Sequence, residues 1–287
     1  MEFGIQFFPS VGPALKSPAQ YWGEALELTQ LAEQLGYAHV RTVEHYFHPY
    51  GGYSPDPLIF LSAAAAVTRN MRLITGAVLP VFNNPLKLAG QIGMVDAISK
   101  GRLEIGFARA FLPHEFARFG ISMDESRARF DEGLEQTRLL LTQENVSCRG
   151  RFHSFENVTS QPRPTQTPHP RFWTAALATR ESFENAGRLG HHLMGIPLGG
   201  AQMAELIKAY RQAWPHLFAN SCRRYRGHPA RVGGKTEPWG CLQSVRRSPG
   251  CGRSRHRLCV QASEDRAAGA YSNRRGGAFA DGRELLS

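Results

Sequence analysis

A few short segments carry side chains whose types and spacing can do chemistry. His45 follows the apolar run Ala38 to Glu44, and His48 lies three residues further on. An imidazole titrates near neutrality, so at a strand end it can act as a general acid or base. A loop histidine that only caps a turn is the alternative. Arg109 follows Leu103 to Ala108. Its guanidinium can grip a phosphate through two parallel hydrogen bonds or form an ordinary surface ion pair. Ala176, Leu177 and Thr179 join an apolar run to a helix beginning at Arg180. Free amides at such a helix start bind anions, and Thr179 and Arg180 add a hydroxyl and a charge. Thr75-Gly76 lies in another strand, where a residue without a side chain allows close approach, or simply makes a bulge. Phe8, Phe47 and Phe111, with Phe7 and Phe172, are candidates to line an apolar pocket for a lipophilic substrate, although most such rings pack in cores.

These residues need elements to hold them. The first 214 residues alternate strand-like and helix-like segments. Strands are predicted over 3–8, 38–44, 72–79, 103–108, 172–177 and 192–196. Helices are predicted from Ser17-Pro18 to Gly36, then over 58–67, 85–99, about 124–142, 180–189 and 201–214. In the first helix Trp22, Ala25, Leu26, Leu28, Leu31, Ala32 and Leu35 give the apolar stripe. Ser17 and Pro18 suit the cap and first position, and Gly36 the end. Six strand–helix units with continuous apolar strands imply a parallel sheet covered by helices. No Gly-x-Gly-x-x-Gly follows a strand, so a dinucleotide-binding doubly wound domain has no support. A parallel (β/α)8 barrel, possessing eight such units, fits better. The segment Val146 to Pro170 reads as a long aperiodic insertion.

Charge separates the chain into two parts. Up to Trp214 there are 20 basic and 19 acidic residues; from Pro215 to Ser287 there are 14 and 5. Of the net charge of +10, the last part therefore carries +9 (14 basic less 5 acidic), and specific nucleic-acid binding is not expected of the body. Residues 215–287 are rich in Arg, Gly, Pro, Ser and Cys, a composition poor at burying a core and expected to be disordered. It is also the composition of a GC-rich gene read out of frame, which resequencing tests. Cys241, Cys251 and Cys259 are too widely spaced for an ordinary zinc site, so no metal is expected. No apolar run is long enough to span a membrane and no secretory signal opens the chain, so a cytoplasmic location is expected.

Specific stretches resemble the luciferase-like flavin-dependent monooxygenases. They are Val43-Glu44-His45-Tyr46-Phe47 with Ser54-Pro55-Asp56-Pro57, and Leu73 to Pro80 with Asn84-Pro85. Further on come Asp96 to Arg109, Phe116 to Gly120, and Asp124-Glu125-Ser126-Arg127. The resemblance covers residues 1 to about 213, in order. It implies a (β/α)8 barrel of the bacterial luciferase kind, left incomplete where the tail begins. It implies reduced FMN from a separate flavin reductase, O2 adding at the flavin C4a, and oxidation of a small organic substrate. By resemblance His45 is the catalytic histidine, Arg109 and the Ala176–Thr179 turn hold the FMN phosphate, and a non-proline cis peptide around Thr75-Gly76 supports the flavin ring. Ala108 stands where some members have a reactive cysteine, and Ala176 and Leu177 replace more polar residues. The resemblance also implies a homodimer through helices near the second and third strands. The deazaflavin F420, in a hydride transfer on the same barrel, is the alternative cofactor. A non-catalytic flavin-binding protein on an incomplete barrel is the alternative of another class.

Overall fold

The computed structural model describes residues 2–196 and 199–214. Among them a six-stranded parallel sheet runs in the order β1-β2-β3-β4-β7-β8. Its strands are β1 Gly4–Phe7, β2 His39–Thr42, β3 Arg72–Thr75, β4 Leu103–Phe107, β7 Arg171–Ala176 and β8 His192–Gly195. Helices α1 Pro18–Gln34, α2 Pro57–Val67, α3 Pro85–Ile98, α5 Ser126–Thr142 and α6 Arg180–Arg188 make the crossovers, and α7 Gly200–Ala213 follows β8. All six predicted units are present, and sheet order follows chain order, as in a curled half-barrel. The Arg- and Cys-rich segment, with its expected disorder and cysteine spacings, lies outside the described residues.

Three crossover helices start the same way. Ser17, Asp56 and Asn84 each accept a backbone N–H with their side chain, and each precedes a proline. That pairing satisfies one orphan amide and places a residue without an N–H where none is needed. Helix α1 packs through Tyr21, Ala25, Thr29 and Ala32, while Leu31 and Leu35 are exposed. The buried stripe is therefore rotated from the one its leucines suggest, because small side chains let the helix lie closer to the sheet.

One row of strand residues in register, Ile5, Val40, Leu73 and Leu103, faces the helices and forms the main core with Leu61, Leu88 and Ile92. The next row, Gln6, Arg41, Ile74, Glu104 and Arg171, lies on the other face. There Glu104 is buried and held by Arg72 at 3.3 Å, Arg171 at 3.1 Å and the Trp173 indole N–H at 2.7 Å. Burial alone would raise its pKa, but Arg171, Arg72 and His192 prevail and hold it below the usual carboxylate range. Arg102 ties α2 to the start of β4, donating to Ser99 O, Thr68 Oγ1, Met71 O, Ala65 O and Thr68 O.

The structure corrects three expectations. The predicted strand 72–79 keeps its ladder only to Thr75; the Gly76–Ala77 peptide is cis, and Val78 then rejoins β4 by a bridge to Phe107. A short helix, α4 Pro113–Phe119, precedes α5, ended by Gly120 in the left-handed region at φ 66°. The insertion is not aperiodic: β5 Val146–Arg149 and β6 Ser154–Val158 form an antiparallel hairpin. Glu132 of α5 pins it by accepting the N–H groups of Arg151, Phe152 and His153.

Candidate active site

His45 lies just beyond the C-terminal end of β2, with 8% of its surface exposed. Its backbone N–H donates to Ser54 O at 3.0 Å, which anchors the loop that carries it. Gly51 backs the ring at φ 78°; a Cβ there would come within 2.7 Å of His45 Cδ2, so only glycine fits. His45 Nδ1 lies 3.1 Å from Oε1 of Glu115, a fully buried residue of α4. The same oxygen accepts the Tyr46 N–H at 2.9 Å. Three aromatic rings surround the imidazole. The centroid of Phe8 is 5.6 Å away, that of Tyr50 5.5 Å and that of Phe111 6.2 Å. Phe111 and Tyr50 are about half exposed, so this collar opens outward.

Of the three predicted pocket rings, Phe8 and Phe111 thus meet at His45. Phe47 does not. It packs on Phe119 and Tyr46, within an aromatic group that includes Phe82. Tyr50 takes its place. Phe7 and Phe172 belong to the core between sheet and helices.

Glu44, next to His45, is buried and accepts three hydrogen bonds. Tyr46 Oη donates at 2.5 Å, Leu79 N at 2.9 Å and Asn83 Nδ2 at 2.9 Å. It thereby fastens the end of β2 to the segment after β3. Burial pushes its pKa up to about 8, Asp56 adds to the rise, and the three donors oppose it. Folding then favours the protonated form, so the stability this group contributes falls as pH rises from 4.5 to about 8. Glu44→Gln removes the titrating proton. Wild-type stability should decline relative to this variant across that window, by roughly 1 kcal/mol per pH unit at the steepest. Urea unfolding of both proteins through the window checks this; a constant difference between them contradicts it.

Thr75 is fully buried at the end of β3. Its hydroxyl donates to Gly106 O at 2.9 Å and accepts from Gly106 N at 2.8 Å, which locks β3 to β4. Gly76 follows it, with its N–H on Thr42 O at 2.7 Å and the stem of Arg41 where a Cβ would go. The cis bond is Gly76–Ala77, in the stretch where the resemblance implies one.

Arg109 is exposed beyond β4. Asp131 of α5 has its pKa raised chiefly by burial, against the opposing charges of Arg127 and Arg109. Both guanidiniums therefore stand near one carboxylate, and Arg127 also lies 3.8 Å from Glu181 of α6. Arg127 lies in the stretch Asp124-Glu125-Ser126-Arg127 that carries the family resemblance. Thr179 is the N-cap of α6, but its side chain caps no amide and pairs with Ser182 Oγ at 2.7 Å. Ala176 is buried, while Leu177, Thr179 and Arg180 are exposed. The arrangement separates two chemistries: an imidazole–carboxylate pair among aromatic rings, and a set of cations near a helix N-terminus.

A family model described as luciferase-like monooxygenase matches residues 1–228. The chain belongs to this family. The match runs past Trp214, further than the sequence motifs had reached. Among solved structures, the monooxygenase RslO1 from Streptomyces bottropensis is 56% identical, with a TM-score of 0.73, covering 75% of this chain and 66% of that one. The oxygenase component of a flavin-dependent trigonelline monooxygenase from Acinetobacter baylyi is 33% identical over 198 residues, 68% of this chain and 54% of the relative. An FMNH2-dependent dimethylsulfone monooxygenase from Pseudomonas putida is 27% identical over 167 residues, 57% of this chain and 46% of the relative. The chain thus spans about half the length of these curated relatives. Among the described residues no helix is long and apolar enough to cross a membrane, and no cluster of His, Cys, Asp or Glu could hold a metal ion.

Proposed function

We propose that this protein is a monooxygenase that uses reduced FMN and O2 to oxidise a small lipophilic substrate, with the flavin supplied by a separate reductase. The observation that carries this reading is the placement of His45, within an aromatic collar at the C-terminal end of the sheet, in a chain of the luciferase-like family. In parallel barrels that end holds the chemistry. The relatives named above for flavin dependence, and the one described as an oxygenase component, support the cofactor and the reductase.

The residues fit FMN. Arg109 with Arg127 supplies positive charge for a phosphate, near the start of α6. The Thr179 hydroxyl and the first amides of α6 supply hydrogen bonds. When bound, the flavin supplies the oxygen chemistry, and the protein supplies orientation and exclusion of water. Phe8, Tyr50 and Phe111 present apolar faces to a substrate beside His45. The imidazole holds or accepts a proton at its free ring nitrogen.

Anaerobic titration of the protein with reduced FMN, followed by mixing with oxygenated buffer, tests the reading. Binding and slowed, protein-dependent reoxidation are expected; the absence of any FMN binding would overturn it. Arg109→Ala should weaken FMN binding roughly tenfold or more, since a hydrogen bond to a charged partner contributes about 1.5–3 kcal/mol. Unchanged affinity would remove Arg109 from the phosphate site. We further infer a homodimer through α2 and α3, whose Ile59, Met94 and Ile98 are exposed apolar side chains. A monomer in sedimentation at working concentration would contradict it.

A further inference from the structure

Glu115 is a carboxylate with no exposure, on a helix of seven residues, and its Oε2 is buried without a hydrogen-bond partner. A buried, partly unpaired carboxyl is costly unless something depends on it. Its other oxygen receives both the Tyr46 N–H and the His45 ring. From this geometry we infer that Glu115 is a positioning residue that fixes His45 in its Nδ1–H form, leaving Nε2 as the basic nitrogen turned toward the aromatic collar.

The argument runs through the hydrogen-bond inventory. Oε1 already accepts from a backbone amide, whose proton cannot be withdrawn. A carboxylate has no proton to give, so the ring nitrogen 3.1 Å away must be the donor. The tautomer is thereby set by the outer partner, as is common for histidines that work through their other nitrogen. A free imidazole favours the opposite, Nε2–H form, and without Glu115 that preference would return. The loop is built to hold this register. Ser54 O receives the His45 N–H, Gly51 backs the ring, and Tyr46 shares the carboxylate. A proton arriving at Nε2 makes an imidazolium paired with Glu115, and its departure restores the neutral Nδ1–H ring.

The tautomer can be read without flavin. Long-range proton–nitrogen NMR correlations of the 15N-labelled protein, with the His45 signals assigned by their loss in His45→Gln, should show Nδ1–H in the native chain. Glu115→Gln should keep that form, because the amide oxygen still accepts both bonds. Glu115→Ala should shift the ring toward Nε2–H. If turnover is present, as the proposed function requires, it should fall about 10–100-fold in Glu115→Ala and less in Glu115→Gln. An Nε2–H ring in the native protein overturns the inference, whatever the variants do. So does an unchanged tautomer in folded Glu115→Ala, even if turnover drops, because Glu115 would then be merely structural. Should Glu115→Ala not fold, the native and Glu115→Gln spectra decide. The expected tautomer in a protein that never turns over would uphold Glu115 and sink the monooxygenase reading instead.

Discussion

Replacing His45 with alanine is expected to lower turnover by roughly 10²–10⁴-fold, the usual contribution of a positioned acid or base, while leaving reduced-FMN affinity nearly unchanged. The separation follows from the geometry. His45 stands with Phe8, Tyr50, Phe111 and Glu115, whereas Arg109 and Arg127 gather around Asp131 on another element. The variant also leaves the Glu115 carboxylate with only the Tyr46 N–H, so some stability is lost as well, on the order of 1–3 kcal/mol. Turnover must therefore be measured below the variant's own unfolding temperature, beside an anaerobic flavin titration. Parallel losses of turnover and FMN affinity would show that His45 holds the loop together and does no chemistry.

The sheet was legible because short β-rich segments alternate regularly with longer helical ones, even though Gln6, Arg41 and Glu104 interrupt the apolar runs. The first helix start was legible because a capping side chain before a proline, Ser17-Pro18, has few other uses; Asp56-Pro57 and Asn84-Pro85 carry the same signal. The misses have physical causes too. β5 and β6 are largely exposed and short: Val146 and Cys148 do alternate with Ser147 and Arg149, but the pattern spans too few residues to stand out, and in β6 it is broken by Glu156-Asn157. α4 is too short for a stripe, and only Glu115 and Phe116 of it are buried. The extent of β3 was overstated because Ala77, Val78 and Leu79 are as apolar as Leu73 and Ile74. Nothing in their types announces that the ladder breaks at Gly76.

The candidate site divides in the same way. His45 and Arg109 stand at strand ends, and position alone draws attention to them. Glu115 does not stand out: an acidic residue in the first turn of a helix is ordinary on a surface, and its burial emerges only when α4 folds against the loop after β2. Tyr50 sits among glycines in a segment with no periodicity, and its ring reaches Phe8 through a loop closure seen only in three dimensions. Arg127 had a usable signal. It lies four residues before Asp131 on α5, hence on the same helix face, and Asp131 also feels Arg109.

Gly106 carries the second large expectation. A Cβ built on it would lie 2.2 Å from Thr75 O and 2.6 Å from Met194 Cε. The methionine can move, but the carbonyl belongs to the strand that Thr75 and Gly106 hold together. Thr75 Oγ1 bonds both backbone groups of Gly106, and Val78 N donates to Gly106 O at 2.7 Å. Gly106→Ala must therefore push β3 from β4 at the point where the chain turns through Gly76. Overpacking of this kind costs about 1–3 kcal/mol. Because Gly76 shifts with Thr75, FMN affinity should fall together with stability, in contrast to His45→Ala. Gly23→Ala is the matched control, since a Cβ there meets nothing within 4 Å and lies inside α1. That change should stabilise by roughly 0.5–1 kcal/mol. Urea midpoints of the two variants should lie on opposite sides of the wild type. A Gly106→Ala midpoint at or above the wild-type value would mean that the β3–β4 seam has slack. The close packing of Thr75, Gly76 and Gly106 would then not be what shapes the flavin side of the site.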